Sequence, residues 1–97
     1  MISKNIINKA NTIVVIEKDE TPDVKYFECL RTAKDGLHKY SVDYHKDNSI
    51  PLNKRIKCNC TWHVLHPSED KACSYTVAVV QKLVELGILK KELLEFL

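Results

Sequence analysis

Between residues 58 and 73 the chain sets down Cys58, Cys60, His63, His66 and Cys73, three thiols and two imidazoles within 16 residues. Core building has little use for such a concentration, because buried cysteines act as small apolar groups and need no histidine beside them. Zinc does use it. The ion takes four thiolate or imidazole donors in a tetrahedron, often a pair from one loop and the rest from a more distant element. Any fold that closes such a site must bring the 58–60 turn against the segment around residue 73. Inert thiols and a redox couple are the competing readings of the first pair, although C-x-C lacks the C-x-x-C spacing of thioredoxin-like sites.

The rest of the chain sets the setting for that site. Its 97 residues supply one core rather than two, so residues 1–97 read as a single domain, with residues 1–11 a candidate flexible N-terminal arm. Composition is that of an ordinary globular chain, 44% hydrophobic and 29% charged, and a core this small gains from a metal, from disulfides or from association. The first ten residues carry a charge or amide every few positions and no secretory apolar stretch, which points to an intracellular, reducing setting where close cysteines bind metal before they pair. No apolar run approaches the roughly 20 residues of a membrane span. A net charge of +2 from 15 basic and 13 acidic residues provides no global field for a polyanion, so nucleic-acid contact would need a local patch. Abundant Lys, Ile, Glu and Asn with only 2 glycines points toward an extremophile source.

Periodicity divides the chain into strands and then helices. Residues 12–16 form a β-branched run closed by a charged turn with Pro22, and residues 24–32 are rich in aromatic and β-branched side chains. Asp35-Gly36 is a hairpin signal leading into residues 38–45, where Tyr40, Val42 and Tyr44 alternate with polar neighbours and define one buried face. Residues 47–51 break the pattern, and residues 54–58 read as a fourth strand that delivers the first cysteines. Past Pro67 the period becomes helical: Ser68 suits an N-cap, Cys73, Val77, Val80 and Val84 share a stripe, and Gly87 is a stop. Leu89, Leu93 and Phe96 continue the spacing into a short terminal helix. The fold class is α+β, an antiparallel hairpin or meander followed by a metal loop and C-terminal helices.

Cys58-Asn59-Cys60, the following Trp62, and Cys73-Ser74-Tyr75 running into an apolar helix resemble the SWIM-type zinc finger, whose pattern is C-x-C, a variable loop and C-x-H. The resemblance spans most of residues 12–86. It implies one structural Zn²⁺ and a role in binding DNA, with protein–protein interaction as the alternative. Tyr75 stands where the family carries its histidine, and a neutral phenol is a poor zinc donor. His66, directly before the Pro67-Ser68 helix start, is therefore the expected fourth ligand beside Cys58, Cys60 and Cys73, with His63 as fallback. Cys29, in the second strand, is a third candidate better explained as a core thiol. Loss of C-x-H also removes a restriction, since positions i and i+2 of a helix point about 200° apart; the helix is then free to start at Ser68 with Cys73 inside it.

A thiolate-rich set of four ligands looks closed and structural, and no phosphate loop, nucleophile elbow or paired carboxylate accompanies it, so an enzyme is not expected. Lys54, Arg55 and Lys57 run into the cysteine loop and, with Trp62 for stacking, form the candidate nucleic-acid contact. A solvated strand face and a core tryptophan explain the same residues. The apolar residues 93–97 offer a surface for a protein partner or a second copy, or else cap the domain's own core.

Overall fold

The computed structural model describes residues 4–65 and 73–96. Its centre is the hairpin of β2 (Val24–Ala33) and β3 (Gly36–His45), paired without a break from Ala33↔Gly36 to Val24↔His45. The Lys34-Asp35 connection closes because Gly36 adopts φ +124°, a backbone state that costs a residue without Cβ little. Alternation does the rest, placing Phe27, Cys29, Val42 and Tyr44 on the buried face.

Two further strands flank the hairpin in the order β1-β2-β3-β4. β1 (Val14–Glu20) does not stop at Ile16 but continues through four charged residues, with a register shift between Glu17 and Asp19. The continuation is possible because β1 is an outer strand whose charges stay in water, and because buried Lys25 on β2 meets Glu17 and Glu20, each at 2.8 Å. On the other side, residues 54–58 are not all strand. Leu52–Arg55 is one helical turn, α2, and only Ile56–Cys58 forms β4 against β3. Helical spacing turns both Leu52 and Arg55 inward, where they are buried.

The long helix α4 (Ser74–Glu85) packs across the sheet and buries Tyr75, Val79, Val80 and Leu83 against Phe27, Val42, Tyr44 and Ile56. Side chains of this size contribute about 1.5–3 kcal/mol each on full burial. Gly87, at φ +76°, ends the helix as expected. The amides of Ile88 and Gly87 donate to the carbonyls of Leu83 and Val84 at 2.9 and 3.0 Å, the paired reverse bonds of a Schellman stop. The start differs from expectation. Ser68 lies outside the described residues, and Cys73 is extended at φ −102°, ψ 173°, so it caps the helix and does not sit within it.

In place of a flexible arm, Lys4–Ala10 forms α1 and docks on α4 through Ala10, Val77 and Ala78. Small side chains let the two helices approach closely. At the other end a 3-10 helix, Lys91–Phe96, closes the fold. Leu89 is buried and Leu93 packs against the main core, so these two side chains serve the domain itself; the side chains of residues 94–96 are not among those described. No helix among the described residues is long and apolar enough to cross a membrane.

Candidate metal centre

β4 ends at Cys58, which lies opposite Val42. The next residue is pinned to β3 twice: the Asn59 amide donates to the Ser41 carbonyl at 3.1 Å, and Asn59 Oδ1 accepts from the Ser41 amide at 2.7 Å. Holding Asn59 in this extended position leaves its neighbours Cys58 and Cys60 on one side of the chain. The Cys60 amide faces Cys58 Sγ at 3.4 Å. The Cys60 carbonyl then accepts from the Val64 amide at 3.0 Å and opens the short helix α3 (Thr61–Leu65). One helical turn brings position i+3 back over position i. His63 is thereby returned to Cys60, with Nδ1 3.2 Å from Sγ.

The fourth group arrives from across the core. Cys73 is fixed as the cap of α4 by Thr76, whose Oγ1 accepts from the Cys73 amide and donates to the Cys73 carbonyl, both at 2.9 Å. Its sulfur lies 3.7 Å from Cys60 Sγ. The ligand atoms of Cys58, Cys60, His63 and Cys73 all fall within 4.8 Å of one another. A tetrahedron with the usual zinc bond lengths has S···S edges of about 3.8 Å and S···N edges of about 3.6 Å. The Cys60–Cys73 and Cys60–His63 separations, 3.7 and 3.2 Å, are near those edges, and the limit of 4.8 Å on all of them places the four atoms close enough to hold one metal ion.

The protons in this cluster are shared unequally. A hydrogen bond from Cys58, together with the Thr76 amide at the start of α4, holds the Cys73 thiol well below the ordinary range. Cys58 is pushed up as the donor in that exchange and by burial, and burial pushes Cys60 up as well. One thiolate at Cys73 is therefore comfortable, whereas three adjacent thiolates are not. A dication bound here would supply the charge needed for the remaining two to ionise.

Cys58, Cys60 and Cys73 thus come together as the spacing indicated. The fallback histidine, His63, is the imidazole beside them, while His66 lies outside the described residues. Tyr75 has a different task. It is buried, its ring stands edge-on to Tyr40 with centroids 4.8 Å apart, and burial raises its phenol, so it is a protonated core residue. Cys29 is fully buried and is not one of the four converging groups; burial, and then the nearby Cys73, push its thiol up to about 12.

The candidate nucleic-acid residues separate. Lys54 and Lys57 are exposed, and the Trp62 side chain is not among those described. Arg55 is only 5% exposed and is removed from the patch. Its guanidinium donates to the Tyr44 hydroxyl at 2.6 Å, the His45 and Lys46 carbonyls at 2.9 and 3.2 Å, and Asn48 Oδ1 at 3.1 Å. A basic run in sequence therefore conceals one residue that ties β3, the loop after it and α2 together. Helical spacing with Leu52 was the available signal.

The chain matches no family model, no curated protein and no solved structure. What can be said of its function follows from the geometry of the four-residue cluster.

Proposed function

We propose that this protein is a small non-enzymatic zinc module, in which Cys58, Cys60, His63 and Cys73 hold one structural Zn²⁺ and the surface beside them binds nucleic acid. The observation that carries the zinc assignment is the convergence of three sulfurs and one imidazole nitrogen within 4.8 Å. Three thiolates favour zinc over the hard cations, and four protein donors complete a tetrahedron without an open position for water, which is the pattern of a structural rather than a catalytic site. The C-x-C and Cys73 spacing resembling SWIM fingers agrees with it, with His63 in place of the absent C-x-H histidine.

Metal analysis of the purified chain tests this directly. One zinc per chain is expected, lost or bound far more weakly in His63→Ala and retained in His66→Ala. Stoichiometric, equally tight zinc in His63→Ala would remove His63 from the site. Nucleic acid as the partner is supported by exposed Lys54 and Lys57 beside the metal loop, without help from Arg55. Binding to a DNA duplex or single strand should weaken steeply with salt and fall in a Lys54→Ala/Lys57→Ala double variant. No binding at low salt refutes that partner and leaves the metal assignment standing.

A further inference from the structure

β1 is an outer strand, and no described residue pairs with its far side. Alternate backbone N–H and C=O groups therefore point away from β2, and the group that matches such a row is another strand. The features that blunt a sheet edge are gathered at one end of β1. Glu17, Lys18, Asp19 and Glu20 are charged, and the register shifts between Glu17 and Asp19. At the other end Val14 and Ile16 are 59% and 37% exposed, on the face opposite Val15, which packs toward the core. Beneath that same end a groove of about 250 Å³ runs between β1 and α4, with Ala10, Ile13, Val15 and Ala78 in its lining and Lys82 and Glu85 on α4 beside them.

We propose that residues 13–16 form a dimer seam, across which a second copy of this chain pairs antiparallel about a two-fold axis at Val15. In this register Val14 lies opposite Ile16 of the second copy and Ile16 opposite its Val14, so four exposed aliphatic side chains close into one stripe. The charges agree with it. Glu17 falls opposite Ile13 of the second copy, so the acidic run never meets itself, whereas a two-fold at Glu17 would set Glu17 against Glu17. A two-fold also makes the α4 helices that flank the two grooves antiparallel, so that Lys82 and Glu85 of one copy run in the opposite order to those of the other and their charges are complementary. Neither residue has an ion-pair partner among the described residues. The bulge after Glu17 then ends the pairing before Lys18, Asp19 and Glu20 are reached. The seam lies on the opposite outer strand from β4 and Cys58 and does not depend on the metal assignment.

Sedimentation equilibrium of the zinc-loaded full chain, from micromolar to millimolar concentration, tests the proposal. A species of twice 11.2 kDa is expected. Ile16→Lys removes the cross-strand pair twice and should raise the dissociation constant about tenfold or more. Ile16→Thr, which keeps the β-branched side chain, should raise it by less while leaving the fold and the circular dichroism intact. Leu37→Lys, at the exposed hairpin tip, should leave the mass unchanged. A monomer at every concentration overturns the proposal, as does a dimer that Ile16→Lys leaves intact or that Leu37→Lys dissociates.

Discussion

Replacing Arg55 by alanine should cost this domain far more than the loss of one surface cation. The guanidinium makes four hydrogen bonds and its Cζ lies 4.9 Å from the centre of the Tyr44 ring. Tyr44 is 4% exposed, so its hydroxyl has no ready access to water once Arg55 is gone. That single bond, charged and buried, accounts for about 2 kcal/mol. The His45, Lys46 and Asn48 acceptors are partly solvated and turn to water, so the three bonds to them add about 1 kcal/mol together. The cation–π contact adds about 0.5 kcal/mol. The expected loss is about 3–4 kcal/mol, a large share of the 5–15 kcal/mol typical of a domain.

Urea unfolding of the metal-loaded protein measures this loss, and a cycle with Tyr44→Phe separates the buried bond from the rest. Arg55→Lys should recover only part of the loss, because an ammonium has no fork to span acceptors on two segments. A loss below about 1 kcal/mol in Arg55→Ala, or no coupling to Tyr44, would refute the account. Unchanged stability with reduced DNA binding would return Arg55 to the nucleic-acid contact.

Two other outcomes follow from residues whose roles the structure defines. Tyr75→His restores the C-x-H pattern but should destabilise the protein by about 2 kcal/mol, because it removes a buried ring packed edge-on to Tyr40; raised zinc affinity at unchanged stability would show Tyr75 to be a displaced ligand. Hydrogen bonds from Lys25 and then Lys46 lower Glu20 from 4.5 to about 2, so its stabilising pairing is complete above pH 4.5 and fades as the pH falls toward 2. The stability gap between wild type and Lys25→Met should therefore narrow across that window, and a gap constant down to pH 2 would show that the pairing contributes nothing.

Much of this fold was legible because its signals are local. The Asp35-Gly36 turn, the alternation of Tyr40, Val42 and Tyr44, and the Gly87 stop each depend on a few neighbouring residues, and each appears where the pattern put it. What stayed hidden depends on contacts between distant segments. α1 has seven residues with no acidic group in its first turn, so little local preference supports it, and its docking on Val77 and Ala78 does. The charged half of β1 is strand because Lys25 on β2 and Lys46, just past the end of β3, meet it. Arg55 looked basic and therefore exposed, yet its partners come from residues 44–48.

The choice between the two histidines shows the same division. In sequence His66 is favoured for its place before the Pro67-Ser68 helix start, and the three-residue spacing of His63 from Cys60 looks strained for a loop. The one turn of α3 relieves that spacing by folding the segment back on Cys60. Among the described residues, α3 is attached through the Val64 amide on Cys60, a 3.4 Å contact between the Tyr40 and Thr61 hydroxyls, and His63 in the cluster. The sheet and α4 carry a core that includes Phe27, Val42, Val79 and Leu83, none of them a ligand. A metal bound here would therefore join the 58–65 segment directly to the start of α4. Its removal should loosen that corner first and leave the central hairpin paired.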